Sequence, residues 1–214
     1  MKKIQLLKKL THTGVIAVVR ANSKEEALLI VDHIIKGGIT AIEITFTIDN
    51  ALDVIKEVSN HYKDNKDIII GAGTVLDPET ARLAILNGAE FIVGPNFNKE
   101  VAKLSNRYQI PYTPGCFTIN EMIEAMEYGV DIIKVFPGGA FGPKIIKDIK
   151  GPLPQINVMP TGGVSLDNAQ TWIEMGAICV GVGSDLTKPA KTKEYEKITE
   201  AARKYVEVIK KARR

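Results

Sequence analysis

Lys134 sits in Ile132-Ile133-Lys134-Val135-Phe136-Pro137, a run otherwise suited to a buried β-strand. An unpaired ammonium is costly to take out of water. A lysine kept in a dry site releases its proton more readily, and the neutral amine attacks carbonyl carbons to give a Schiff base. The other reading is a lysine whose head escapes to water along its aliphatic stem. A second candidate is Glu43 in Glu43-Ile44-Thr45-Phe46-Thr47. Alternation along a strand puts Glu43, Thr45 and Thr47 on one face and Ile44 and Phe46 on the other. If Glu43 and Lys134 both point inward they share one cavity, as a salt bridge or as an acid/base group beside a nucleophile.

Two glycine clusters add an anion-binding signal. Gly162-Gly163 follows one apolar run, and Gly181-Val182-Gly183-Ser184 closes the last. Glycine lets backbone N–H groups approach phosphate oxygens, and Ser184 adds a hydroxyl. Glycines placed for tight turns are the alternative. Cys116 and Cys179 are too few and too far apart for a disulfide framework or a zinc site. Cys179 reads as a core residue, and Cys116 as core or pocket lining. His12, His33 and His61 show no ligand spacing, so neither metal nor cofactor is expected.

These groups need a scaffold. Eight short apolar or β-branched runs recur at 15–20, 41–46, 68–74, 91–96, 112–116, 132–137, 157–163 and 178–184. Helix-period segments separate them. Ser23 to Glu26 and Thr118 to Glu121 read as capping boxes, and Asp77-Pro78-Glu79 opens another helix. Gly37-Gly38, Gly88, Gly129 and Gly176 fall where helices should stop. The pattern predicts an α/β fold, a (β/α)8 TIM barrel, with an extra N-terminal helix over residues 4–10 covering its floor. Active sites of this fold lie at the C-terminal ends of the strands, and the last two loops commonly bind phosphate. Pro95, Pro114, Pro137 and Pro160 are read as points where strands leave the ladder.

The 214 residues, 45% of them hydrophobic, suit one domain spanning 1–214. The net charge of +3 gathers in the tail from Lys210 to Arg214, read as a solvated helix end rather than a nucleic-acid or membrane patch. No apolar run is long enough to span a bilayer, and the first residues lack a signal-peptide pattern. A cytoplasmic location is expected.

The ordered set Glu43-Ile44-Thr45, Gly71-Ala72-Gly73-Thr74-Val75, Pro114-Gly115, Lys134-Val135-Phe136-Pro137, Pro160-Thr161-Gly162-Gly163-Val164 and Gly183-Ser184 resembles the class I 2-keto-3-deoxy-6-phosphogluconate (KDPG/KHG) aldolases. The resemblance covers essentially the whole chain. It implies reversible cleavage of that phosphorylated keto-sugar acid to pyruvate and glyceraldehyde 3-phosphate, in the Entner-Doudoroff context. It also implies possible action on 4-hydroxy-2-oxoglutarate, and it leaves the 6-phosphogalactonate analogue as the alternative. By resemblance Lys134 is the Schiff-base lysine and Glu43 the general acid/base. Thr74, Pro95 and Phe136 match the pyruvyl pocket. Gly162, Gly163, Gly183 and Ser184 match the phosphate site, and a homotrimer is expected. One position departs. Thr47 stands where many members carry an arginine that pairs with the substrate carboxylate, and Arg20 is the sequence candidate to supply that charge.

Overall fold

A computed structural model describes residues 1–214. The chain alternates parallel strands with helices. In order they are α1 (Lys2–His12), β1 (Val15–Val19), α2 (Lys24–Lys36), β2 (Ala41–Thr45), α3 (Ala51–Tyr62), β3 (Ile69–Gly73), α4 (Pro78–Leu86) and β4 (Phe91–Val93). Then come α5 (Lys99–Tyr108), β5 (Tyr112–Thr113), β6 (Gly115–Cys116), α6 (Ile119–Glu127), β7 (Ile133–Val135), α7 (Ile145–Lys150) and β8 (Val158–Pro160). The chain closes with α8 (Ala169–Glu174), β9 (Val180–Val182), α9 (Ser184–Thr187) and α10 (Tyr195–Ala212).

The strands form a curled parallel sheet in two parts. One has six strands in the order β5-β4-β3-β2-β1-β9, the other three in the order β6-β7-β8. A proline sits at each seam, and the hydrogen bonds explain why. The Lys134 N–H donates to Pro114 O at 2.9 Å, so the Pro114 peptide faces β7 but has no N–H to return. At the other seam the Thr161 N–H donates to Val135 O on β7, so Pro160, one residue earlier, faces β9 without a donor. What remains there is the Ile178 N–H on Val158 O at 3.0 Å and a single bridge between Thr161 and Gly181. The fifth expected run is therefore divided at Pro114. The other runs exceed their strands mainly at the C-terminal end. The overhanging residues, Thr74, Pro95, Phe136 and Gly162 among them, form the loops above the sheet, and Ser184 opens α9.

Local signals set the helix ends. Ser23 accepts from the Glu26 N–H at 3.1 Å, but the Glu26 carboxylate reaches back to the Asn22 N–H at 2.6 Å, so the box is not reciprocal. The box of Thr118 and Glu121 is complete. Asp77 caps α4 through the Thr80 N–H, with Pro78 in the first turn. Gly88 and Gly176 turn the chain after α4 and α8 at φ of +103° and +106°.

Helix α1 is longer than the expected 4–10 and is fastened at both ends. Near its start the Lys3 ammonium meets Asp131 at 2.7 Å, Gly129 O at 2.9 Å and Asn106 at 3.0 Å. At its end the Arg213 guanidinium donates to His12 O and Thr11 O, and also to Ile178 O beside β9. The basic tail is thus not wholly a solvated helix end, because Arg213 clamps α1 to α10. The main core lies between sheet and helices, where Trp172 and Tyr205 are fully buried, while the equally buried Phe91 packs its ring over Gly71 on the face of the sheet that carries Glu43. Each such side chain stabilises the fold by roughly 1.5–3 kcal/mol through apolar burial. No helix is long and apolar enough to cross a membrane.

Candidate active site

A cavity of about 270 Å³ opens at the C-terminal ends of the strands. Its floor is dry and its mouth is wet. Lys134 comes from the middle of β7 and is 5% exposed, while Glu43, from the middle of β2, is 1% exposed. Their neighbours Val135 and Ile44 are fully buried on the opposite face. Apolar packing against the helices therefore holds both polar side chains inward. The Lys134 ammonium lies 4.8 Å from the Phe136 ring centroid, a cation–π contact. It has no carboxylate partner within ion-pair distance, so it is not one half of a salt bridge with Glu43.

Glu43 is seated by a glycine. A Cβ added at Gly73, its neighbour on β3, would fall 2.1 Å from Glu43 Oε1. Glu43 Oε2 is buried without a hydrogen-bond partner. A buried orphan acceptor is costly unless something fills the cavity beside it, and a substrate hydroxyl or a water would do so.

Arg20, Thr47, Thr74, Pro95 and Phe136 line the same cavity, as do Gly162, Gly163, Gly183 and Ser184. Every candidate catalytic, substrate-binding and phosphate-binding residue from the sequence is thereby brought to one place. The details differ from expectation. Thr45 turns its hydroxyl away, to Val19 O at 3.4 Å and to Thr47 Oγ1 at 2.7 Å, and does not line the cavity. Arg20 lies beside the last glycine loop, where a Cβ at Gly183 would meet its guanidinium at 3.3 Å. It makes no ion pair. Gly162 and Gly163 have φ of +82° and +76°, and a Cβ at Gly163 would fall 2.7 Å from Gly139 Cα. Both are glycines for the backbone's sake, whatever they bind.

The sequence reading missed Thr161 and Gly181 as lining residues. Thr161 Oγ1 is buried without a partner, and a Cβ at Gly181 would lie 2.2 Å from it. It resembles the Glu43 arrangement, a buried polar side chain seated over a glycine of the next strand with one oxygen left unpartnered, although in Glu43 the orphan is Oε2 and the oxygen over the glycine is Oε1. Thr161 stood in a quoted motif, but its side chain carried no signal of its own. Thr74 was named, but its backbone was not foreseen. Its φ is +60°, which is unusual for a β-branched residue and marks strain at the cavity wall.

Cys116 is 1% exposed and does not line the cavity, so a pocket role is set aside. Burial pushes its thiol up to about 12, as it does that of Cys179. A larger cavity, about 400 Å³, opens at the other end of the strands between Lys9 and Glu90, with no strand-borne amine. No three His, Cys, Asp or Glu side chains converge to hold a metal.

A strand-borne lysine without a counterion, a buried carboxylate and glycine-rich loops share one cavity, and a family model described as KDPG and KHG aldolase matches residues 6–201. The chain belongs to the KDPG/KHG aldolase family. It is therefore an aldolase, a carbon–carbon lyase. This aldolase is 35% identical over 203 residues to the 2-dehydro-3-deoxy-6-phosphogalactonate aldolase of Escherichia coli (strain K12), covering 94% of this chain and 97% of that one. It is 32% identical over 209 residues to the 2-dehydro-3-deoxy-phosphogluconate aldolase of Haemophilus influenzae, covering 96% and 97%. Among solved structures, the KDPG aldolase of Legionella pneumophila with pyruvate captured as a covalent carbinolamine superposes with a TM-score of 0.82. It shares 28% identity, with 95% and 97% of the two chains covered.

Proposed function

We propose that this aldolase reversibly cleaves 2-keto-3-deoxy-6-phosphogluconate to pyruvate and glyceraldehyde 3-phosphate through an imine on Lys134. The observation that carries the reading is the buried, unpaired Lys134 facing one cavity with the orphan carboxylate of Glu43. Lys134 attacks the keto carbon to give a carbinolamine, which loses water to an iminium. The iminium accepts the electron pair of the C3–C4 bond as Glu43 takes the proton of the C4 hydroxyl, directly or through a water. The aldehyde departs, the enamine is protonated at C3, and water releases pyruvate and regenerates the amine. Phe136, Thr74 and Pro95 shape the pyruvyl end. The loops of Gly162, Gly163, Gly183 and Ser184 suit the phosphate; Arg20, the sequence candidate for the substrate carboxylate, instead lies beside Gly183, where it favours the phosphate.

A second reading is cleavage of the 6-phosphogalactonate epimer, favoured by the Escherichia coli relative. Side-by-side assay of the two epimers and of 4-hydroxy-2-oxoglutarate decides the preference. We read the two sheets as one closed (β/α)8 barrel, with β5 and β6 as its fifth strand. The Ile178-to-Val158 hydrogen bond and the Thr161–Gly181 bridge support this reading. A homotrimer fits an exposed apolar cluster of Phe117, Ile119 and Ile123, with Phe141 packed on Phe117 at 4.6 Å. Its test is the mass in solution.

The decisive experiment is incubation with pyruvate and borohydride. One adduct is expected, on the peptide containing Lys134, and Lys134→Ala should fold yet neither trap nor cleave. An adduct elsewhere, or an active enzyme that traps nothing, overturns the assignment.

A further inference from the structure

Thr74 keeps an uncommon backbone, with φ of +60°, at the wall of the catalytic cavity. Such strain persists only where the surrounding structure over-determines it. The residues that do so stand behind the wall. Tyr112 on β5 is in register with Ile92, the residue after Phe91, and Phe91 is in register with Gly71, itself the register partner of Glu43. Alternation along β4 therefore puts Tyr112 on the face of the sheet away from Glu43. It is 4% exposed and does not line the cavity.

The Tyr112 hydroxyl reaches the loop after β4. It accepts from the Asn98 N–H at 3.2 Å and donates to Asn96 O at 3.1 Å. Burial pushes the phenol above the ordinary tyrosine range, so the hydroxyl keeps the proton that it donates. Asn98 carries the tie across to the loop after β3. Its Nδ2 donates to Leu76 O at 3.0 Å, two residues past Thr74. Its Oδ1 meanwhile caps α5 through the N–H groups of Glu100 at 2.9 Å and Val101 at 3.2 Å. Between Thr74 and Leu76, the Val75 N–H donates to Val93 O at 3.1 Å. The strained residue is thus followed at once by two hydrogen bonds, one from the sheet and one from Asn98. Gly94 leaves room for the arrangement. A Cβ there would lie 2.8 Å from Asn96 O and 3.1 Å from both Tyr112 Oη and Val75 O.

We propose that Tyr112 and Asn98 are positioning residues of this aldolase, which hold Thr74 in the pose that receives the pyruvyl group without touching that group themselves. The inference rests on the placement of the pyruvyl group against Thr74 proposed above. A wall that fits the pyruvyl group equally in ground and transition states acts on KM more than on kcat. Thr74 stands at the pyruvyl end, away from the glycine loops, so its displacement acts on pyruvate and not on the phosphorylated aldehyde.

The test condenses pyruvate with glyceraldehyde 3-phosphate and, separately, traps pyruvate on the enzyme with borohydride over a range of pyruvate concentrations. Tyr112→Phe removes one oxygen and keeps the buried ring. It should raise KM for pyruvate, and the half-saturating pyruvate for trapping, about tenfold, with kcat and KM for the aldehyde within about threefold of wild type. Asn98→Asp keeps the cap and the backbone N–H but loses the donor to Leu76 O, and should do the same. Placed on Thr74→Gly, which already frees that backbone, Tyr112→Phe should add less than about twofold. If Tyr112→Phe does not fold, Asn98→Asp decides by the same measurements. An unchanged KM for pyruvate overturns the proposal, and so does an equal rise for pyruvate and aldehyde or a full effect on the Thr74→Gly background. Those outcomes leave trapping on wild-type Lys134 intact, and with it the imine mechanism. Wild type that traps no pyruvate on Lys134 overturns that mechanism, and the positioning role falls with it.

Discussion

Glu43 Oε1 occupies the space that a side chain at Gly73 would fill: a Cβ there would stand 2.1 Å away. The two residues lie on neighbouring strands, and the absence of a side chain at Gly73 leaves room for the carboxylate. Gly73→Ala must push Glu43 out of place. We expect kcat for cleavage to fall by roughly 10² or more, comparable to loss of one acid/base group. Placed on top of Glu43→Gln, the same change should cost little further, because both act on one carboxylate. Additive losses would show that Gly73 serves the backbone and not Glu43.

Thr161→Val conserves shape and removes a buried hydroxyl that has no partner. The free enzyme should be as stable as wild type or more so, by about 1 kcal/mol, since an unsatisfied polar atom is gone. If the hydroxyl meets substrate, kcat/KM for cleavage drops about tenfold or more while trapping of pyruvate on Lys134 persists. Lower stability with unchanged kinetics would assign Thr161 to the fold alone. Denaturant titration and steady-state kinetics check the two halves.

Thr74 holds φ at +60° beside the cavity. A strained backbone of this kind costs on the order of 1–3 kcal/mol, which Thr74→Gly relieves. An ordinary threonine-to-glycine change in a loop destabilises through chain entropy. The variant should instead match or exceed wild type in Tm, with a raised KM for pyruvate in the condensation assay. A Tm that falls by several degrees would mean that the left-handed backbone is comfortable there.

Asp185 gives a pH test. Burial raises its carboxyl, but the hydroxyl of Tyr205 at 2.5 Å and the ammonium of Lys188 outweigh this, and the group titrates below the usual aspartate range. A depressed carboxyl contributes stability above its unfolded pKa and loses it as pH falls through the folded one. Asp185→Asn should therefore cost about 1–2 kcal/mol at neutral pH, the worth of a charge-assisted hydrogen bond. The gap to wild type should close in acid, below the ordinary aspartate range. A gap independent of pH would show that charge plays no part. Chemical denaturation across pH separates the two.

Much of this protein was legible in the residues themselves. Strand and helix follow from apolar period, so each expected strand run reappears, trimmed at its ends or, at Pro114, divided. Lys134 and Glu43 stood out because a charged group in an apolar alternation has few places to go. The sequence overran the strands at their C-terminal ends, since Thr74, Phe136 and Gly162 continue the apolar or glycine pattern after the ladder has stopped. A one-dimensional pattern has no term for that stop. It is fixed by which peptide faces which neighbour, as at Pro114 and Pro160, where a missing N–H shows only once the partner strand is known.

Register and packing decided the rest. Thr161 meets Gly181 because parallel strands set those residues side by side, and Glu43, paired in register with Gly71, reaches diagonally over Gly73, two residues further along β3; each glycine looked like an ordinary turn or motif residue in the chain. Arg20 lies against Gly183 although 163 positions separate them, and Arg213 reaches back to His12 and Thr11 to clamp α1. Local sequence determines which way a side chain points. Only the assembled sheet determines what it points at, because contacts between distant segments come from strand order and register, which neighbouring residues do not encode.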